Sequence, residues 1–340
     1  MLPLLIALLA NVATIAAGPN KPVRLSATVF HGPVEVEVRD LPVDAARHAI
    51  EQALTEMAAV ERLTDPEADA EGSSKTAGSL AALNAAAGKG AQPVDARLLP
   101  ALSRALDFCL WSDKAFGPLG RDLNRLWGLR APVQASPVQK PDLLDRAVVA
   151  ADCGRLAVDV QKGTATLAAG SAVDLWGFSE GLAVDRAVEI LRREGARNGY
   201  VHAGGIHRGF GPGPDGHGWS VEPPLAPGTT IPLSRLFLRD KALAIASAAD
   251  RPLKIGEETF SPWISHRTGQ PVQGTVATLA FTDLALDAQG LAATLTVTGP
   301  GEGQLRLGSL RPSPAMLWLQ GSGAGEPLQI TYHWGDVPKR

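Results

Sequence analysis

A small set of residues in this 340-residue chain has the type and spacing to do chemistry. Glu180 leads them. It precedes Gly181 at the start of a predicted helix, where a carboxylate either holds a ligand or settles near the positive end of the helix dipole. Trp176 offers a large flat face, for a planar ring or for the core. Gly204-Gly205 ends a short apolar strand and lets the backbone approach a ligand closely, although a tight turn needs nothing more. His266 lies in a polar loop as either a base or a surface residue. His202 alternates within a buried strand and suits the core. His207 and His217, with Asp215 in a Gly/Pro loop, lack metal-ligand spacing. Ser73, Ser74 and Thr76 occupy a polar stretch with no nucleophile elbow. Asp185 reads as a structural carboxylate, salt-bridged across the core. Cys109 and Cys153 are too few for a thiolate zinc site. They are either one bridge in an oxidising compartment or two buried thiols.

Composition limits what these residues can serve. Hydrophobic residues make up 45% and charged residues 20%, the mix of a globular chain. The formal charge is −3, and Lys and Arg form no cluster long enough to track a phosphate backbone, so no nucleic acid is expected as partner. Residues 2–17 are apolar apart from Asn11 and Thr14 and end in Ala16-Ala17-Gly18. The run is shorter than the roughly 20 residues of a spanning helix, and its small-residue end suits signal-peptidase cleavage. The expectation is a signal peptide over 1–18, export to the periplasm, and one domain over 19–340 with no spanning helix in the mature chain.

The elements that must position the candidates follow from periodicity. Residues 23–38 alternate as two strands about His31-Gly32-Pro33. Ala46, Ile50, Ala53, Met57 and Val60 mark a helix over 44–63, with Asp44 as N-cap. A second helix is predicted over 94–111, capped by Asp95, with Pro100 kinking it or marking a later start. Residues 64–78 read as a loop and 132–141 as a linker. Residues 155–169 read as a hairpin about Lys162-Gly163. Residues 179–194 read as a helix with Leu182, Ala183, Ala187, Ile190 and Leu191 on one face, stopped at Gly195. Residues 200–203 and 243–249 are apolar strands, 284–297 a helix and 331–340 a plain tail. Strands and helices do not alternate strictly, so the class is α+β, with mixed sheets and packed helices.

Several segments, in order, resemble the FAD:protein FMN transferases, the ApbE family. Asp174-Leu175 with Glu180-Gly181-Leu182-Ala183-Val184-Asp185 resembles the family's strand-loop-helix motif. Val201-His202-Ala203-Gly204-Gly205 resembles its second strand and Gly-Gly turn, and Arg267-Thr268-Gly269-Gln270-Pro271 its Thr-Gly turn. Leu80-Ala81-Ala82-Leu83-Asn84, Ala115-Phe116 and Leu126-Trp127-Gly128 resemble three further segments. The similarity spans about residues 25–310. It implies a single α+β domain that binds FAD, cleaves its pyrophosphate and transfers FMN to a Ser or Thr hydroxyl of an exported flavoprotein, with Mg²⁺. It places Trp176, Ser179, Glu180, Gly204, Gly205, Ser247, Thr268 and Gly269 around the dinucleotide. It puts Glu180 at the chemistry and Gln289 where the family holds a metal-binding Asp; His266 stands where the family has a Pro and is the candidate for a displaced base.

The departures fall on the chemistry. The family Asp and, one helical turn on, its Thr become Gln289 and Ala293. Gln offers one neutral oxygen and Ala none, whereas Mg²⁺ selects hard, preferably anionic oxygens. Asp287 and Thr294 lie about 200° and 100° away on a helical wheel, so a slip in register does not restore both ligands. The loop His and Asp of the family become Pro262 and Ser265. Three functions therefore compete: an active transferase with an altered metal shell, a weak or inactive relative that binds flavin or a partner, and a structural exported domain with an empty cleft.

Overall fold

The computed structural model describes residues 22–67, 78–130, 140–223, 234–321 and 325–339. The expected signal peptide, the stretch with Ser73, Ser74 and Thr76, and residues 132–139 of the expected linker lie outside the described residues. Alternation in residues 23–38 yields β1 (Val23–Val29) and β2 (Gly32–Val38), paired antiparallel with Val23 opposite Val38. Then come α1 (Val43–Thr64), α2 (Leu80–Ala85), β3 (Ala91–Pro93) and α3 (Leu99–Trp111). Next are α4 (Arg121–Leu126), α5 (Pro141–Ala150), and the hairpin of β4 (Leu156–Asp159) and β5 (Thr164–Leu167). They are followed by α6 (Ser179–Arg193), β6 (Gly199–Ala203), β7 (Ile206–Phe210), β8 (Trp219–Val221) and β9 (Leu236–Leu238). The chain continues through β10 (Lys241–Ser247), β11 (Leu253–Ile255), β12 (Glu258–Phe260) and β13 (Thr275–Thr282). It ends with α7 (Ala285–Leu307), β14 (Ala315–Gln320) and β15 (Leu328–Tyr332). α7 bends at Gly299, whose φ of 71° breaks the helical path before Pro300.

Eight strands form one antiparallel sheet in the order β1-β2-β6-β7-β10-β13-β14-β15. The helices α1, α6 and α7 pack against it and each other, and the main core lies between. The sheet has a second apolar face. Leu243, Leu279 and Leu317 pack there with Trp219, Leu238 and Trp334. Strand alternation assigns the faces: in β13, Leu279 joins the second cluster and Ala280 the main core. The α+β class is as the composition and element order imply, and no helix of the described residues is long and apolar enough to cross a membrane.

Three local expectations need correction. α1 opens at Val43 after Pro42, with no side-chain cap, so Asp44 lies inside the first turn. α3 starts at Leu99 with Pro100 in its first turn, where a missing N–H costs nothing. Asp95 instead closes a local turn, accepting the Arg97 N–H at 2.9 Å. The plain tail is structured: residues 328–332 form an edge strand, and Trp334 is buried beneath the sheet. Polar alternation hid the strand, whose side chains stay largely in solvent.

Candidate functional site

The segment from Asp174 to Asp185 builds one wall of a cavity of about 490 Å³. Asp174 anchors it from below. Its carboxylate receives the Arg130 guanidinium, with Nε at 2.8 Å, and the Asn124 amide at 2.9 Å. The Trp176 N–H donates to it at 2.9 Å. Desolvation opposes the charge, but Arg130, Asn124 and the Trp176 amide outweigh it and hold Asp174 below the usual carboxylate range. Asn84 clamps the same segment from the side. It exchanges two hydrogen bonds with the backbone of Val173, at 2.6 and 2.9 Å.

With its backbone pinned, the segment turns at Gly177 (φ 86°) and enters α6. Glu180 lies in the first turn and faces the cavity. Its carboxylate accepts the Gln289 Nε2–H at 2.6 Å and the Ser179 hydroxyl at 3.3 Å. Gln289 Oε1 in turn accepts the Gly181 N–H at 2.7 Å. One amide thus fastens the start of α6 to α7. Gly181 makes the approach possible, because a Cβ there would stand 2.6 Å from the Ala285 carbonyl oxygen. A turn later, buried Asp185 accepts the N–H groups of Ala285 and Leu286 at 2.8 and 3.0 Å and pairs with Arg208. It caps α7 from a neighbouring helix, which fits the structural role its sequence position suggests.

The opposite wall comes from two strand ends. Gly204 (φ 56°) and Gly205 form the β6–β7 turn, and the Gly205 carbonyl accepts the Ile245 N–H at 3.0 Å. A Cβ on Gly205 would lie 2.8 Å from the Ile245 oxygen. Ser247 ends β10 on the rim; its hydroxyl accepts the Ala249 N–H at 3.1 Å. Trp176, Glu180, Gly204, Gly205, Ser247 and Gln289 therefore share one cavity, although 113 positions separate the first from the last in sequence.

The remaining sequence candidates lie elsewhere. Ser179 does not line the cavity and touches it only through Glu180. His266 is neither a base at the cavity nor a surface residue. It is 4% exposed, packed against the Phe116 ring and so close to Gly120 that a Cβ there would be 2.7 Å from Nε2. Burial pushes its pKa down to about 4, and its Nδ1 has no partner. Thr268 is exposed and only closes its own turn, to the Gln270 N–H at 3.3 Å. Gly269 is buried against Leu144, and its carbonyl accepts the Trp127 indole N–H at 2.7 Å. These motif residues brace the wall rather than line it. His207 is also buried, its pKa lowered to about 3 by desolvation, and Tyr200 bonds its Nδ1 at 2.7 Å.

Among the lining residues that sequence reasoning missed are Phe30, Asp250, Arg251 and Trp263. Arg251 lays its guanidinium 5.0 Å from the centre of the Trp176 ring, and Trp263 stands 5.8 Å from that ring. The Trp176 indole N–H is buried without a partner. The cavity thus offers paired indoles and one cation. Trp263 carried a signal, a large aromatic in a Pro-flanked loop; Arg251 carried none.

The resemblance also implies Mg²⁺, and the donor set does not fit it. Both polar atoms of Gln289 are spent on Gly181 and Glu180. Ala293 packs beside Gly177, Asp287 pairs with Arg104 at 2.6 Å on the far side of α7, and the Thr294 hydroxyl is buried and unpartnered. Among the described residues no group of three His, Cys, Asp or Glu side chains could hold a metal ion.

Solved structures share this fold. The ApbE protein of Thermotoga maritima is similar with a TM-score of 0.77 and 19% identity, over 90% of this chain and 97% of that one. The flavin transferase ApbE of Vibrio cholerae gives 0.75 and 19%, over 94% and 98%. The flavinyl transferase ApbE of Pseudomonas stutzeri gives 0.73 and 18%, over 96% and 97%. No curated protein matches the sequence. The family model for ApbE matches residues 30–317, and with that span, the fold and the shared cavity in place, the chain belongs to the ApbE family.

Proposed function

We propose that the cavity binds FAD and that the chain is a flavin transferase-family protein whose FMN transfer is slow. The observation that carries the binding reading is the convergence of Trp176, Glu180, Gly204, Gly205, Ser247 and Gln289 on one cavity. Paired indoles suit a planar ring system. Exposed Gly204 lets a ligand meet bare backbone, and Arg251 supplies a positive charge for a pyrophosphate. Glu180, half-buried and hydrogen-bonded on one oxygen to Gln289, keeps lone pairs for a ligand hydroxyl or imide.

The slow-transfer reading rests on the amide of Gln289 and the methyl of Ala293, neither of which offers an anionic oxygen to a cation. Losing a charge-stabilising group at a transfer centre costs about 3 kcal/mol, a factor of roughly 10²–10³ each. The transfer, where it occurs, joins FMN to a Ser or Thr hydroxyl of an exported flavoprotein, consistent with the apolar N-terminal run.

The test has two arms. Flavin fluorescence and titration calorimetry on the full chain should show saturable FAD binding, weakened in Arg251→Ala. Mass spectrometry of a Ser/Thr acceptor protein incubated with chain, FAD and Mg²⁺ should show little FMN adduct. Rapid adduct formation overturns the slow-transfer reading; no heat and no fluorescence change with FAD overturns the binding reading.

A further inference from the structure

Cys109 and Cys153 are the only cysteines of the chain, and the site does not use them. Both are buried with 0% exposure. Cys109 lies near the end of α3; Cys153 opens a 3-10 turn, Cys153–Arg155, just after α5. The two segments pack together, and each thiol lies near enough to shift the titration of the other.

The surroundings hold them there. Lys114 donates its N–H to the Cys109 carbonyl at 2.7 Å, and its ammonium pairs with Asp152 at 2.8 Å. Asp152 also accepts the Gly154 N–H at 2.8 Å. Lys114, bonded to the Cys109 carbonyl, and Asp152, next to Cys153, thus tie the two segments together. On the other side, Gly117 leaves room for Cys109 alone: a Cβ there would stand 2.5 Å from the Cys109 Cβ and 2.7 Å from its sulfur.

We infer that Cys109 and Cys153 are an oxidation site, forming an intramolecular disulfide that ties the end of α3 to the turn after α5. The oxidant is a disulfide, carried by a dithiol oxidoreductase or by oxidised glutathione. Cys153 attacks first as thiolate. Its neighbour Cys109 lowers its pKa against desolvation, while the same pairing and burial raise that of Cys109. The attack forms a mixed disulfide and expels one oxidant thiolate. Cys109, giving its proton to solvent, then attacks the Cys153 sulfur and expels the rest of the oxidant. Two protein thiols lose two electrons and two protons, and the oxidant disulfide becomes two thiols. Because both sulfurs are buried, the exchange takes place as the chain folds or while the 153–155 turn is open.

The bridge closes a loop that contains α4 with Asn124 and Trp127, the residues that brace Asp174 and Gly269. It also sits behind Phe116, whose ring supports Gly177 and stands 6.0 Å from Trp263 in the cavity wall. Oxidation therefore fixes the backing of the wall without entering the cavity.

The test counts thiols in the full chain and does not involve FAD. The chain is unfolded in guanidinium with reductant, then refolded either with a glutathione redox pair or with reductant. Each product is denatured in excess iodoacetamide and weighed. Expected are no adducts after oxidative refolding, with a peptide joining residues 109 and 153, and two adducts after reductive refolding. The oxidised form should melt roughly 5 °C higher. Two adducts after oxidative refolding, glutathione retained on either cysteine, or disulfide-linked dimers would each overturn the inference. The same count on protein isolated from an oxidising expression compartment decides the matter for a chain that does not refold. Cys109→Ser should give one adduct after reductive refolding and, under the glutathione pair, no joined peptide but glutathione held on Cys153, which has lost its resolving thiol.

Discussion

Asp174 and Asp185 lie two and five residues from Trp176 and Glu180, yet the pairs do opposite work. Asp174 and Asp185 are 1% and 7% exposed, and protein donors bond to both. Each receives a guanidinium and backbone amides, from Arg130 and Trp176 or from Arg208, Ala285 and Leu286. Trp176 and Glu180 are half-buried and line the cavity, Trp176 with its ring and Glu180 with its carboxylate. The contrast teaches that a ligand wall is built from alternating duties along one segment. Saturated carboxylates fix the backbone, and unsaturated groups beside them are left for binding.

The comparison can be broken where the backing carries most energy. Asp185→Ala leaves Arg208 buried and unpaired and uncaps α7, so urea unfolding should show a loss of about 3–5 kcal/mol. FAD affinity per folded molecule should hold. A loss below about 1 kcal/mol would mean that Asp185 is no more structural than Glu180.

Acid probes the backing next. His266 is neutral in the fold, with a pKa near 4 against an ordinary 6.5. Between those values the unfolded chain binds more protons than the folded one, so stability falls as pH drops from about 6.5 to 4. The loss should reach roughly 3 kcal/mol by pH 4 from this residue. An NMR titration placing the His266 imidazole near 6.5 would remove it from the backing layer. Burial acts in the same direction on His207, extending the limb toward pH 3.

The wall should answer the other way round. Glu180→Gln keeps a partner for Gln289, and stability should stay within about 0.5 kcal/mol. FAD binding should shift roughly tenfold, the worth of one charge-assisted hydrogen bond. If denaturation shifts and affinity does not, Glu180 belongs with Asp185.

The smallest effect sharpens the metal question. Gln289→Asp with Ala293→Thr restores an anionic and a hydroxyl oxygen one helical turn apart on α7. Mg²⁺ should then stabilise the double variant by about 0.4 kcal/mol at a concentration equal to its Kd, and leave the parent chain unmoved. Equal thermal shifts in both would refute the reading of Gln289 as a protein–protein clasp.

Much of this fold was legible in local pattern. Strict alternation in residues 23–38 and the apolar stripe of α6 have short-range causes, so the β1–β2 hairpin and the helix through Glu180 follow from them. Asp44 and Asp95 mislead because proline, not a cap, sets both helix starts. His266 and Thr268 show the limit at the site. Their motif positions are readable, but whether a loop residue faces a cavity depends on which way the loop packs. Leu144, Phe116 and Gly120 decide that, and all lie far away in sequence.

Residue types alone determined the class, the family resemblance, and the loss of anionic oxygens at positions 289 and 293. Only the folded chain decided that Gln289 spends both ends of its amide on α6, that Arg251 stacks on Trp176, and that two cysteines from distant segments meet. The physical reason is range. Backbone propensity and side-chain chemistry act within a few residues, whereas a hydrogen bond across helices needs the whole sheet to bring its partners within 3 Å.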